Sequence, residues 1–123
     1  TDFGDLLAAK GRGGGLSSTT RGVFAGGHDP SNDLNVIEYI TIASTGDSTD
    51  FGDLTAARRL DGCGASNQTR GLFMGGYDNP AGGYSNVLDY ITIASTGNAA
   101  DFGDLNVASG SGSVLCNGHG GLQ

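Results

Sequence analysis

The sequence NVIEYITIASTG at residues 35–46 returns as NVLDYITIASTG at residues 86–97. Each copy leads into the pentapeptide DFGDL, at residues 50–54 and 101–105, and a further DFGDL stands at residues 2–6. Equivalent segments are separated by about fifty residues, a period that is typical of repeat proteins built from one supersecondary unit. The chain is therefore predicted to consist of tandem repeat units.

A second repeated phrase lies upstream of each copy. It reads RGVFAGG at residues 21–27 and RGLFMGG at residues 70–76. Arg21 and Arg70 consequently occupy equivalent positions. We expect them to pair with nearby Asp carboxylates rather than to bind a ligand, because guanidinium–carboxylate pairs are strong.

Each unit contains four segments of strand-forming residues, separated by loops of turn-forming residues. In the second unit these segments are residues 59–66, 71–76, 87–94 and 101–105. No apolar pattern of helical period is sustained over three turns. The sequence therefore predicts an all-β fold.

The third segment of each unit favours one architecture. In residues 36–43 one face carries Val36, Glu38, Ile40 and Ile42, and the other carries Ile37, Tyr39, Thr41 and Ala43. Both faces are largely apolar, so both must be covered. Four short strands per period in sheets covered on both faces are typical of β-propeller blades. A β-sandwich is the alternative, but it does not explain the repeat.

Two features of each unit resemble a divergent Kelch repeat. They are the glycine pairs at residues 26–27 and 75–76 and the Val-x-x-Tyr strands at residues 36–39 and 87–90. Where Kelch blades usually place a Trp, this sequence has Phe51 and Phe102, at a longer spacing from the tyrosine. The resemblance implies Kelch-like β-propeller blades.

The longer phrase, YITIASTG-x3-DFGDL together with RG-x-F-x-GG, covers nearly the whole chain. It is similar to repeats in predicted structural proteins of marine bacteriophages. That resemblance implies a tail or fibre component, located in a virion or outside the cell.

Laid onto blades, the chain divides into four parts. Residues 1–9 give the terminal strand of a partial blade, 10–54 the first blade, 55–105 the second blade, and 106–123 a partial blade and tail. Two blades and two fragments cannot close a ring, so we expect other chains or further sequence to cover the open faces. The chain also begins without Met, which favours a fragment or a processed product.

Four aromatic residues are predicted to lie buried between adjacent blades. They are Tyr39, Phe51, Tyr90 and Phe102, which recur at equivalent places with apolar neighbours.

The composition excludes several function classes. Thirteen acidic residues against six basic ones give a net charge of −7. A nucleic-acid-binding protein needs clustered Lys and Arg to neutralise phosphate, so neither nucleic acid nor an anionic membrane surface is an expected partner. The two cysteines, Cys63 and Cys116, occupy non-equivalent repeat positions. We expect thiols rather than a disulfide, although the redox compartment stays open.

Motifs for catalysis and metal binding are weak. DFG occurs three times but without the other kinase signatures, so we interpret it as packing and turn chemistry. Acidic residues recur at three-residue spacing, at Asp47, Asp50 and Asp53, which leaves Ca²⁺ as a minor alternative to turn capping. His28 and His119 have no partner at metal-ligand spacing. No cofactor and no enzymatic activity are expected.

The segments after the glycine pairs differ between the units, at residues 28–34 and 77–85. Function in propellers commonly resides on such loops. The candidate ligand or partner residues are His28, Asp29, Asn32, Tyr77, Asp78, Asn79 and Tyr84. Tyrosines beside amide and carboxylate groups can stack on a sugar and hydrogen-bond to it, although simple loop packing explains them as well.

Three functions follow, in this order. The first is a structural and interaction protein that assembles with itself or with neighbouring virion or appendage proteins. The second is a lectin-like module that binds host-surface glycans through the two loops. The third, an enzyme on a propeller scaffold, lacks a nucleophile, a base or a metal cluster.

Overall fold

The computed structural model describes residues 1–78 and 82–110. Within these residues the chain forms β-strands and no helix. The strands are β1 (Gly14–Ser17), β2 (Arg21–Ala25), β3 (Val36–Thr41), β4 (Thr49–Asp53), β5 (Gly64–Ser66), β6 (Arg70–Met74), β7 (Tyr77–Asp78), β8 (Gly83–Tyr84), β9 (Val87–Thr92) and β10 (Ala100–Asp104). The predicted all-β class is confirmed.

Each repeat unit forms one four-stranded antiparallel sheet. Strands β1 to β4 lie side by side in chain order, and β5, β6, β9 and β10 repeat that order in the second sheet. Strands β7 and β8 form a separate hairpin within the loop between β6 and β9. The pairing register is also repeated, since Val23 lies opposite Tyr39 in the first sheet and Leu72 opposite Tyr90 in the second. The four predicted strands are therefore present in both units.

The first strand of the second unit is shorter than its predicted range of 59–66. It begins at Gly64 because the backbone turns just before it, with a φ of 48° at Asp61 and 86° at Gly62. Positive φ angles of this size do not occur in regular strands.

The turn between the first two strands is built in the same way in both units. The Ser18 Oγ accepts a hydrogen bond from the Arg21 N–H at 3.1 Å, and the Asn67 Oδ1 accepts one from the Arg70 N–H at 2.7 Å. Ser and Asn favour such turns because their short side chains reach the backbone two or three residues ahead.

The hydrophobic core lies between the two sheets. Its buried members are Val23, Ala25, Ile37 and Phe51 from the first sheet, Phe73, Ile91 and Ile93 from the second unit, and Leu54 and Leu60 from the connecting segment. Strands β1 and β5 approach closely, since a Cβ added to Gly64 would lie 2.7 Å from the Gly15 carbonyl oxygen. Glycine allows the backbones of the two sheets to meet at this point.

The two predicted partial blades have different outcomes. Residues 2–6, expected to form a fourth strand, are not a strand, because none of the strands in the described part of the chain pairs with them. Most of the predicted final strand, residues 107–116, lies outside the described residues.

Candidate interaction sites

The two sheets are joined by backbone hydrogen bonds from a loop of the second unit to β4 of the first. The Gly97 N–H donates to the Phe51 carbonyl at 2.7 Å, and the Ala99 N–H donates to the Asp53 carbonyl at 2.8 Å. In return, the Asp53 N–H donates to the Asn98 Oδ1 at 3.0 Å. We call this set of contacts the joint.

The N-terminal segment makes the same joint with the first unit. The Gly46 N–H donates to the Phe3 carbonyl at 2.7 Å, and the Ser48 N–H donates to the Asp5 carbonyl at 2.9 Å. The Asp5 N–H donates to the Asp47 Oδ1 at 3.0 Å. The repeated DFGDL pentapeptide therefore has a repeated role, which is to bind the STG loop of the following unit.

Glycine is required at the centre of each joint. Gly4 and Gly52 have φ angles of 147° and 148°. A Cβ at either site would collide with the backbone of the opposing loop, at Gly46 or Gly97. Gly103 has the same conformation, with φ of 145°, but a Cβ there would meet nothing within 4 Å. The third DFGDL thus has the backbone shape of the other two, although no described residue makes the joint with it.

A buried salt bridge lies beside the joint between the sheets. The Arg58 Nη1 is 2.9 Å from the Asp89 Oδ2, and both side chains are fully buried. Arg58 also donates to the Gly75 carbonyl at 2.7 Å and to the Phe73 carbonyl at 3.3 Å. Asp89 accepts from the Thr55 hydroxyl at 2.6 Å. Because the charges are both paired and hydrogen-bonded, their burial is tolerated.

The first unit contains the equivalent pair, Lys10 and Glu38. The Glu38 carboxylate also accepts from the Leu7 N–H at 2.8 Å and from the Ser48 hydroxyl at 2.6 Å. Burial raises the pKa of Glu38, but the hydrogen bonds from Lys10, Ser48 and the Leu7 N–H outweigh burial and hold that pKa below its ordinary value. A short acid faces the long Arg58, whereas a longer acid faces the shorter Lys10.

The two salt bridges were not predicted from the sequence, in which Glu38 lies on a largely apolar strand face. Two signals were available: an acid at the same position in both third strands, Glu38 and Asp89, and a base at the end of DFGDL-x-Ala-Ala in residues 2–10 and 50–58. Their equivalence in the repeat could have suggested that they meet.

The repeated arginines contact tyrosines and a carbonyl, and neither forms a salt bridge with an Asp of the described residues, so the expectation of Asp partners was wrong. The Arg21 guanidinium lies 4.2 Å from the Tyr39 ring centre, and its Nη1 donates to the Ile93 carbonyl at 2.8 Å. Arg70 lies 4.6 Å from the Tyr90 ring in the same arrangement. Strand register explains this outcome, since Arg21 lies opposite Thr41, two residues beyond Tyr39 and on its face.

The four predicted interblade aromatics have unequal environments. Tyr39 and Phe51 meet edge to face at 5.9 Å, and Tyr90 and Phe102 repeat that contact at 6.0 Å. Phe51 is 3% exposed, which confirms its predicted burial, but Phe102 is 51% exposed. The prediction for Phe102 was wrong for the single chain because, within the described residues, no further four-stranded sheet packs on it. Both tyrosines are half-buried.

The two variable loops lie side by side, a relationship that sequence analysis did not predict. Arg59 connects them, because its Nε donates to the Asp33 carboxylate at 2.6 Å and its guanidinium lies 5.3 Å from the Tyr77 ring. Tyr77 meets Tyr84 edge to face at 6.1 Å. Tyr84 is 66% exposed and is the most accessible aromatic side chain in this cluster.

The remaining candidate loop residues have mainly structural contacts. The His28 and Gly11 backbones exchange hydrogen bonds of 3.0 and 2.8 Å. The Asp29 carboxylate accepts from the Ser31 and Asn32 N–H groups at 2.8 and 2.7 Å, and these bonds lower the pKa of Asp29. The Asn32 side chain is exposed.

Of the other residues predicted from the sequence, some lie outside the residues that the structure describes. Asp78 pairs with Gly83 in the β7–β8 hairpin, whereas Asn79 lies outside the described residues. Cys116 and His119 also lie outside them, and Cys63 is buried.

Nothing in residues 1–78 and 82–110 brings three or more His, Cys, Asp or Glu side chains together at metal-binding distance. Over the same part of the chain there is no helix with the length and apolarity needed to span a bilayer. No family model and no curated protein matches the chain.

Proposed function

We propose that this chain is a non-enzymatic structural and interaction protein whose sheets stack as Kelch-like propeller blades. The observation that carries the proposal is the joint, which is made twice with equivalent backbone bonds and with an equivalent buried acid–base pair beside it. A joint that repeats along the chain favours a unit designed for stacking. The third DFGDL, at residues 101–105, offers the same groups to a further unit.

The charged groups of the chain support an assembly role. Arg58 is occupied by one carboxylate and by three backbone carbonyls, and Asp89 is occupied by a guanidinium and by the hydroxyl and N–H groups of Thr55. A catalytic acid or base needs access to a substrate, which fully buried and bonded groups do not have. We therefore assign these residues to cohesion between units, with no cofactor.

The location and the partners follow from the resemblance of the repeats. Similarity to repeats of marine bacteriophage structural proteins favours a virion or an extracellular appendage. The partners we propose are further copies of this chain or neighbouring proteins of the same assembly. The net charge of −7 disfavours nucleic acid as a partner, and we propose no insertion into a membrane.

A second candidate function is glycan binding, and the loop cluster favours it. Arg59 holds both loops together through Asp33 and Tyr77, and the exposed Tyr84 presents an aromatic ring that packs edge to face against Tyr77. Rings of this kind stack on the apolar face of a sugar. Binding on a glycan array that is abolished by Tyr84→Ser, and retained by the Thr45→Ser control on the exposed STG loop, would support this function.

The assembly function is tested by the native size of the full chain. We expect sedimentation velocity to show species larger than one chain, whose share rises with concentration. The melting temperature should rise in parallel, because association stabilises only the folded state. A compact monomer whose melting temperature is independent of concentration would contradict the proposal.

A further inference from the structure

The two sheets present four faces, of which two are packed together and two are open. The packed face of the first sheet carries Val23, Ala25, Ile37, Tyr39 and Phe51, and the packed face of the second carries Gly71, Phe73, Ile91 and Ile93. The open face of the second sheet, here the tail face, carries Leu72, Met74, Leu88, Tyr90 and Phe102. The open face of the first sheet, here the head face, carries Gly22, Phe24, Ile40 and Ile42.

Each open face repeats one of the packed faces position by position. The tail face has the pattern of the packed first-sheet face, and the head face has that of the packed second-sheet face. The exposures differ accordingly: Phe51 is 3% exposed and its equivalent Phe102 is 51% exposed, while Ile93 is 1% exposed and its equivalent Ile42 is 46% exposed. The same residue types are therefore covered inside the chain and uncovered at its two ends.

We propose that the tail face of one copy docks on the head face of a second copy, which reproduces between chains the joint already present within the chain. This inference rests on the proposed assembly function and specifies its surfaces. The two faces differ, so the contact is heterologous. Each copy then keeps one open face, and assembly continues into a closed ring or a filament.

Polar groups on the tail face are already arranged for this contact. Arg70 is stacked on Tyr90 as Arg21 is stacked on Tyr39. Arg21 donates across the internal joint to the Ile93 carbonyl. By the same geometry, Arg70 would donate to the Ile42 carbonyl of the second copy.

The head face offers a receiving space. A cavity of about 230 Å³ lies beside Phe24, and Leu6 and Lys10 are among its lining residues. The equivalent Phe73 is fully buried, since the first sheet covers it. Apolar side chains of the tail face would fill the corresponding space beside Phe24.

Docking requires that the N-terminal segment of the copy that offers the head face be displaced by the neighbour. The Gly46 and Ser48 N–H groups are bonded to residues 3 and 5 of their own chain. The neighbour's residues 101–105 have the same DFGDL sequence and can replace residues 2–6 bond for bond. However, Ser109 stands where the repeat otherwise has Lys10 or Arg58, so the joint between copies has one salt bridge fewer than the internal joint. Association is therefore expected to be reversible.

A mixing experiment with two variants tests the pairing of faces. Phe102→Glu places a charge on the tail face, and Ile42→Glu places one on the head face; both sites are exposed in the single chain, so folding should be retained. We expect each variant alone to sediment as a monomer at concentrations where the native chain assembles. An equimolar mixture should form dimers and nothing larger, because only one intact tail face and one intact head face remain. Thr96→Glu, an exposed site on the STG loop of the internal joint and outside both open faces, is the control and should assemble normally.

A second pair of variants includes one that should increase assembly, so the test does not depend on loss of assembly alone. Gly4→Ala should displace the N-terminal segment from Gly46 and so increase assembly several-fold at a given concentration. Gly103→Ala, which has the same backbone angle, should decrease assembly, since its Cβ would collide with the neighbour's loop.

The outcomes separate this inference from the proposed function. Assembly of the native chain that neither glutamate variant reduces would overturn the head-to-tail pairing and leave the assembly function standing. Loss of assembly in Phe102→Glu but not in Ile42→Glu would indicate a symmetric tail-to-tail contact and would also overturn it. A native chain that remains a monomer throughout would contradict both.

Discussion

Arg58 and Asp89 form a salt bridge of 2.9 Å beside the joint between the two sheets, with both side chains fully buried. Arg58 belongs to the segment that leaves the first sheet, and Asp89 belongs to the third strand of the second sheet. The pair therefore contributes to the placement of the second sheet against the segment that leaves the first. Its equivalent, Lys10 with Glu38, does the same for the N-terminal segment.

The first prediction concerns the removal of one member of this pair. Arg58→Met leaves the Asp89 carboxylate buried without its cation, which typically destabilises a protein by about 3–5 kcal/mol. The double variant Arg58→Met/Asp89→Leu should recover most of that loss, since no buried charge remains. Urea unfolding of the three proteins measures the difference. The exposed pair Arg12–Asp61 provides the control, and Arg12→Ala should change stability little. A double variant no more stable than the single one would contradict this account.

The second prediction concerns side-chain length. Lys10→Arg alone and Glu38→Asp alone should each destabilise the protein. Each substitution changes the combined length of the two side chains, whereas the distance between the two backbones is fixed. The combination gives the Arg–Asp pair of the second unit and should show a favourable coupling of roughly 0.5–3 kcal/mol, typical of residues in contact. A double-mutant cycle by chemical denaturation measures this coupling. Additive effects of the two substitutions would refute length matching.

The third prediction concerns pH. The pKa of Glu38 in the folded protein lies below its ordinary value of 4.5. A carboxyl group with a depressed folded pKa contributes stability that is fully present above the unfolded value and is lost as the pH falls through the folded value. The native chain should therefore lose stability below about pH 4.5 more steeply than Glu38→Gln. Urea unfolding at a series of pH values measures the free energy of unfolding of both proteins. If this free energy falls equally for both as the pH is lowered, Glu38 has no such role.

The repeat made most of the fold predictable, because an apolar third strand and turn-forming loops recur with one period. The presence of four strands in each unit followed from that pattern. The joint did not, because DFGDL was interpreted as a strand and not as the binding partner of the next STG loop. The Arg59 link between the variable loops was also missed, since Asp33, Arg59 and Tyr77 are distant in sequence and occupy non-equivalent positions in the repeat.

The fourth prediction compares two equivalent phenylalanines. Phe51→Ala should destabilise the chain by about 3–5 kcal/mol, because a buried ring leaves a cavity. Phe102→Ala should have a much smaller effect on the dilute single chain, where the ring is half in solvent. Thermal or urea unfolding at low concentration measures both. Equal losses would indicate that Phe102 is already covered in the monomer.

The most direct measurement of the central claim, that the internal joint is repeated between chains, is the solvent exposure of Phe102 at rising concentration. Fluorine NMR of fluorophenylalanine placed at Phe102 or at Phe51 reports this exposure through the solvent isotope shift. We expect the Phe102 signal to change from exposed to buried as the chain assembles, while the Phe51 signal stays buried throughout. A Phe102 signal that stays exposed in the assembled protein would contradict the account.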